Sequence, residues 1–596
     1  MLLKFVLRIL LISVFYPQKI KMRKRFCILF VFLLLLRGIP ALGRDKNNAL
    51  ENTISGEALI TEYYADKQDL NLVYIFTVSP EYFDRFTQFY ADWLERLKAV
   101  DFNVLNEEDQ VDYILLKRNI LNDQYELEQR KKDWPLINYA LPFENKIIQL
   151  QQQRRRGNTL NAINTASALQ QILTDINNVK PIVQKQPLEN DHLKKLAVKT
   201  VQELRKGLKS VYSFYNGYDP DFSWWMKTSY PDADSALSDY ANWLSKQSVL
   251  HPDKALDSSG IIGNPEGKAA IERGLKAAMI PYTPEELVQI ANKEYTWCEA
   301  EMIKASQQMG YGNDWKKALE KVKENHLPPG QQPQLINKLE EHAIHFVDSL
   351  DLVTIPPLAR EAWRMVMLTP EEMRYASYFL GGPEIMVAYA NEGQDYNTKM
   401  GIMRSGNYAF AHAEVFHELI PGHNLQFFMM NRYRSYREYF SSPFSVEGWA
   451  FYWEMLLWDK GYHSTPEEKV GALFWRMTRC ARIVFSLNYH LNKWTPQQCI
   501  NYLVDKVGLE RFSAESEVRR SFTGGYGPLY QLAYMSGALQ MYALHHEIVD
   551  SKKMTDKQFN DTFLHNGTIP IELFRALLIH QKLIPDFVTQ WRFADN

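Results

Sequence analysis

DHLKKLAVKTVQELRKGLKSVYSFY, residues 191–215, sets Leu193, Ala197, Val201, Leu204, Leu208, Val211 and Tyr215 at spacings of three and four. A period of 3.6 residues gathers those side chains on one face, which defines an amphipathic helix. The same pattern recurs outward from it. Thr283-Pro284-Glu285-Glu286 joins a capping hydroxyl, a proline at the first helical position and two acids in the first turn, a strong helix start. Ser464-Thr465-Pro466-Glu467-Glu468 and Thr495-Pro496-Gln497-Gln498 repeat it before further apolar-periodic runs. Strand-like alternation is scarce, and Leu70–Thr77 (LNLVYIFT) is its best local case. Punctuation at Pro252–Glu266 and Pro328-Pro329-Gly330 marks loops or lobe junctions. No internal repeat is present, and the chain reads as all-α with few or no strands.

Composition narrows the class. The 596 residues are 46% hydrophobic and 23% charged, as in a folded globular protein. The net charge of −2 argues against nucleic acid as a partner. The Gln151–Arg155 run reads as a solvated helix face or loop rather than a binding patch. Phe26–Leu36 is an unbroken apolar run of eleven residues, preceded by Arg23-Lys24-Arg25 and followed by Ala41-Leu42-Gly43. That is the plan of a secretory signal peptide, too short to span a bilayer, which takes ~20 apolar residues. Residues 1–43 are therefore expected to direct export, with 1–21 an upstream extension if Met22 is the true start. Cleavage leaves no stable membrane anchor and a periplasmic or extracellular chain. Residues 1–43 hold eight basic side chains and no acids, so the remainder carries 60 basic against 70 acidic residues, a net charge of −10. It keeps Cys298, Cys480 and Cys499, of which Cys480 and Cys499 are a possible bridge.

The chemistry concentrates in one segment. Of 14 histidines, His412, His417 and His423 fall within twelve residues. His417-Glu418-Leu419-Ile420-Pro421-Gly422-His423 departs from H-E-x-x-H, in which two zinc ligands share a helical face four residues apart. At i+6 on a regular helix the two rings would diverge by about 240°. Pro421 cannot donate to the His417 carbonyl, and Gly422 tolerates unusual geometry, so a kink or widening at Ile420–Gly422 is expected to swing His423 back. Catalytic zinc usually takes three protein ligands. Glu447-Gly448-Trp449-Ala450-Phe451-Tyr452-Trp453-Glu454 reads as a buried helix with Glu447 and Glu454 on one face. Either acid could be the third ligand, with the other holding a histidine, or forming a buried ion pair with Arg476, Arg479 or Arg482.

On HELIPGHNLQ (His417–Gln426) and EGWAFYWE (Glu447–Glu454), the sequence resembles a large family of bacterial secreted and lipoprotein chains with an H-E-x-x-P-G-H motif, long catalogued as a domain of unknown function. These look like distant, all-helical relatives of the gluzincin metallopeptidases, the clan of carboxypeptidase Taq, thimet oligopeptidase and angiotensin-converting enzyme. The likeness is strongest over residues 283–575. It implies a large multi-helix zincin-like fold with two helical lobes around a deep cleft, an N-terminal lobe at 44–280 and a C-terminal lobe at 281–596 with the metal site. It also implies one Zn2+ per chain held by His417, His423 and Glu447, with Glu418 as catalytic base and Glu454 as supporting acid. Later motifs depart from the family. Ser486 and Asn488 replace an Asp and a Gly in the stretch Arg482–His490, and Pro528–Gly537 lacks the usual Gly, Gln, Ala and Lys. Near the end Asn560 stands in place of a His.

The implied reaction is hydrolysis of short peptides, with Glu418 moving the proton from water to the leaving amine. Tyr534 and His490 are candidate second donors to the oxyanion, although Tyr534 also fits a core aromatic row with Tyr526 and Tyr530. Arg519 or Arg520 could hold a peptide carboxyl terminus. His545-His546-Glu547 reads as surface or supporting residues, because adjacent histidines point apart on a helix. Asn566-Gly567-Thr568 is a glycosylation pattern relevant only in a eukaryotic secretory host. The alternative is a non-catalytic protein that binds peptides or envelope material in the same cleft.

Overall fold

The structure, a computed structural model, describes residues 55–251, 257–376, 378–523 and 525–594. The expected signal segment lies outside the described residues. The described residues form 22 α-helices and one small three-stranded sheet, so the chain is all-α. No described helix is long and apolar enough to cross a membrane.

The helix punctuation operates as expected. Asp191–Tyr215 is one helix that buries all seven periodic residues. Thr283, Thr465 and Thr495 each close a full capping box at the heads of Pro284–Gln308, Pro466–His490 and Pro496–Tyr502. The candidate strand at Leu70–Thr77 does not form. Leu70–Val73 ends the Gly56–Val73 helix, where the Tyr74 N–H bonds the Leu70 carbonyl. Beyond it the Thr77 hydroxyl bonds Glu203, and Phe76 packs so closely on Gly207 that a Cβ there would lie 2.4 Å from its ring. Tertiary packing of one aromatic ring overrides the local β propensity.

The strands lie elsewhere: β1 (Met365–Met367), β2 (Phe379–Leu380) and β3 (Ile385–Val387), in the order β1-β3-β2. β1 runs parallel to β3 and β2 antiparallel to it. One apolar core joins Leu59–Val249 to Phe416, Trp449, Trp453 and Phe563, so the early helices share packing with the helices that carry the motif. Cys298, Cys480 and Cys499 are buried and free. The possible Cys480–Cys499 bridge does not form: the Cys499 thiol faces the Phe485 carbonyl at 3.7 Å, while Cys480 neighbours Cys298.

Candidate metal centre

Asn407 caps the helix Tyr408–Glu418 by accepting from the Phe410 N–H at 3.0 Å. Every residue from Ala409 to Glu418 is buried. The helix does not kink at Pro421 but ends at Glu418, and a new helix starts at His423. Between them the Gly422 N–H reaches back to the Phe416 carbonyl at 3.0 Å and the Asn424 N–H to Leu419 at 3.1 Å. Two distant groups fix the turn. Glu340 accepts from the Ile420 N–H at 3.0 Å, and the Trp449 indole donates to the Pro421 carbonyl at 3.0 Å. Gly422 is required for close approach rather than for an unusual φ, since its Cβ would lie 1.9 Å from the His417 oxygen. The outcome is the expected one: the His417 and His423 ring centroids stand 4.9 Å apart at 90°.

Glu447 comes from the helix Pro443–Asp459, which crosses Tyr530–His545 at Gly448 and Gly537. A Cβ on Gly448 would lie 2.6 Å from the Gly537 backbone, so two side-chain-free positions set that spacing. The crossing lets the Tyr530 hydroxyl donate to Glu447 Oε1. Glu447 Oε2 is thereby aimed at the histidines, 3.3 Å from His423 Nε2 and 3.8 Å from His417 Nε2. Glu454, one heptad on, brings Oε1 to 2.7 Å from His417 Nδ1, close but out of line for a linear N–H···O bond. Arg479 in turn approaches Glu454 at 3.4 Å and Glu414 at 3.3 Å.

This donor set fits a zinc ion. Ligand atoms ~2.1 Å from a tetrahedral centre stand ~3.4 Å apart, near the two separations above. Glu447 Oε2 is fully enclosed and bonds no protein donor. Ligand atoms of His417, Glu418 and His423 also lie within 4.8 Å of one another, which puts Glu418 beside the cluster. Burial alone would push His417 down, but Glu447, Glu454 and Glu418 outweigh it and raise the imidazole to about 10. Burial likewise opposes ionisation of Glu447, yet His423 and His417 hold it well below the ordinary carboxylate range. The surroundings favour positive charge at this point.

A cavity of about 150 Å³ opens on the cluster. Phe379 and Leu380 of β2 with the following Gly381 line it, as does an arginine- and tyrosine-rich group of Arg479, Arg482, Arg520, Tyr526, Tyr530 and Tyr534. Arg482 grips Glu517 through Nε and Nη2 at 2.8 and 3.0 Å, and Arg520 shares the same carboxylate at 3.0 Å. One acid thus serves two buried guanidinium groups. Arg482 Nη1 and Arg520 Nε have no protein partner. The Tyr534 ring lies under Arg482, 4.3 Å from its guanidinium carbon.

The expected residues therefore divide. His417, Glu418, His423, Glu447 and Tyr534 share the cavity, and Glu454 supports it from behind. His490 is not brought there. It stands eleven residues beyond Arg479 on the same helix, about 16 Å along the axis, enclosed against Phe522 with neither ring nitrogen bonded. Arg520 enters the cavity as a buried residue, whereas Arg519 does not line it. Tyr530, Arg482 and Glu517 are the functional candidates that sequence reasoning passed over. His545 and His546 are held by Asp556 and Asp550, each at 2.7 Å, and Glu547 by Arg575. Asn566 is buried, bonded by Arg437 and to the Thr562 carbonyl, so the glycosylation pattern is closed to modification.

Fold and site together define a large all-helical protein with a buried His–His–Glu centre. The chain belongs to the family described as "Bacterial protein of unknown function (DUF885)", whose model matches residues 74–578. No curated protein matches it. It shares its fold with a "putative lipoprotein of unknown function" from Shewanella oneidensis, at TM-score 0.64 and 18% identity over 88% of this chain and 100% of that one. A second structure, described as a "putative lipoprotein" from Colwellia psychrerythraea, aligns at TM-score 0.47 and 17% identity over 70% of this chain and 75% of that one.

Proposed function

We propose that this chain is an exported, zinc-dependent hydrolase of peptide bonds in short peptides. The observation that carries the reading is the convergence of His417 Nε2, His423 Nε2 and Glu447 Oε2, with Glu418 at their side in the same cavity. A zinc ion held there supplies Lewis acidity and a water of lowered pKa. Glu418 takes the proton from water and delivers it to the departing amine. Tyr534 offers a hydroxyl to the carbonyl oxygen as negative charge develops. Arg482 and Arg520, one positive charge in excess of Glu517, hold the peptide carboxylate, and the small cavity favours a chain end. Export rests on the basic-apolar-small segment at residues 23–43 and on the lipoprotein description of the Shewanella structure.

The test is a broad peptide library read by mass spectrometry with zinc-loaded protein. Cleavage one or two residues from a free carboxyl end is expected. Glu418→Gln should keep zinc and lose roughly 100-fold or more of the rate. Zinc-loaded protein that binds peptides through the arginine wall but cleaves none would favour the non-catalytic reading instead.

A further inference from the structure

A second cavity, of about 300 Å³, shares no lining residue with the metal centre. It is bounded by the helix Glu107–Ile137, by the end of Lys268–Ala277 and by residues 585–589 near the carboxyl end. Its volume is at the lower end of small-molecule sites, ~300–1,000 Å³. The lining is mostly apolar, with Ile114, Leu121, Met279, Phe587 and Val588 contributing.

Set into that lining is Arg118. Its Nε and Nη1 atoms are enclosed and have no hydrogen-bond partner, and no described carboxylate forms an ion pair with it. Burial pushes its guanidinium down to about 10. The other cations of the cavity are placed differently. Lys117 reaches Asp586 at 2.7 Å and the Pro585 carbonyl at 3.5 Å. Arg273 reaches Glu126 at 3.0 Å and lies over Tyr125 at 4.0 Å, with its own Nε enclosed and unbonded. The lining thus holds Lys117, Arg118, Arg273 and Lys276 against one acid, Asp586. Arg118 as a whole is half-buried, but a guanidinium with two of its three nitrogens shut off from water and no counter-charge is costly, and an anion delivered into the cavity offsets that cost. The planar N–H fork selects a carboxylate, and the apolar walls require that it carry an apolar body.

We propose that this cavity is a binding site for an amphipathic organic monoanion, an alkyl or aryl carboxylate, whose head group meets Arg118 and whose body lies against Leu121, Met279, Phe587 and Val588. Such a ligand would bridge the Glu107–Ile137 helix to residues 585–589 and stabilise the folded chain by linkage. The site is independent of the hydrolase reading, since no residue of the metal centre takes part.

Decanoate, decan-1-ol and acetate provide the test, applied to the full chain by calorimetric titration and thermal unfolding. Decanoate should bind at one site and raise the unfolding temperature. Decan-1-ol and acetate, each lacking half of the recognition, should bind at least roughly tenfold more weakly. Arg118→Met should lose decanoate binding by a similar factor while unfolding no earlier than wild type without ligand, because it removes a half-buried charge that has no counter-charge. Val588→Asp, at an exposed position of the same lining, should weaken decanoate binding with no risk to the core. Decan-1-ol binding as tightly as decanoate, acetate binding as tightly as decanoate, or Arg118→Met and Val588→Asp both binding decanoate like wild type would each overturn the proposal.

Discussion

His412 and His417 stand five residues apart on one helix, Tyr408–Glu418, and face opposite surroundings, because five residues turn a helix by ~140° beyond a full circle. His417 faces three carboxylates, with Glu454 at 2.7 Å from its Nδ1 and Glu447 at 3.8 Å from its Nε2. His412 faces rings. It stacks on Tyr462 at 4.4 Å, and its Nδ1 meets His463 Nδ1 at 3.3 Å. Its one carboxylate, Glu468, stands at 3.8 Å and is already used by the Ser464 and Thr465 backbone at its helix cap. Burial therefore wins at His412 and pushes it down to about 4, whereas the acids win at His417 and raise it to about 10. Equal burial on one element gives a neutral core imidazole on one face and a cation-seeking site on the other. Histidine proximity alone does not make a candidate metal centre; the carboxylates around it distinguish the two faces.

The largest expected contrast lies between the two clusters. His417→Ala should abolish zinc binding and peptide hydrolysis, while His412→Phe, a ring for a ring against Tyr462, should leave both within about twofold of wild type, since no metal contact is touched. Paired zinc analysis and peptide turnover check this. Next comes acid stability. His412 and His490 are each held near 4 in the fold against 6.5 when exposed, so the unfolded chain takes up protons first. Their stabilising effect is complete above pH 6.5 and is lost as pH falls toward 4, by up to about 3 kcal/mol each. Denaturant unfolding at pH 7 and pH 5 reads the loss, and His412→Phe should reduce it. Smaller again is the loosening of Glu447. Tyr530→Phe removes the donor that aims its Oε2 and should weaken zinc by roughly 10- to 100-fold, measured by competition with a chelator. Smallest is the arginine wall. Arg520→Gln should raise KM for free-acid peptides by roughly tenfold and barely alter KM for their amides.

Much of this architecture was legible in the chain itself. Capping boxes at Thr283, Thr465 and Thr495 depend on residues three apart, and heptad spacing put Glu447 and Glu454 on one face. The approach of His423 to His417 followed from the proline and glycine between them, although the device is a helix break rather than a kink. What escaped depends on long-range packing. Tyr530 meets Glu447 across 83 residues, through a crossing that only Gly448 and Gly537 permit. Arg482 and Arg520 were candidates singly, for an ion pair and for a peptide terminus, but their sharing of Glu517 joins two helices, and Glu517 resembles an ordinary surface charge when read in order. His490 shares a motif with Arg482, but helix rise carries it away from the cavity. Leu70–Thr77 has the composition of a strand, and its fate was decided by the contact of Phe76 with Gly207.

Zinc stoichiometry tests the central claim most directly. Purified protein, stripped with chelator and reloaded, should bind one zinc per chain, and Glu447→Ala and His423→Ala should each lose it while remaining folded. A wild-type chain that binds no zinc, or a His423→Ala chain that binds it as tightly as wild type, would contradict the account.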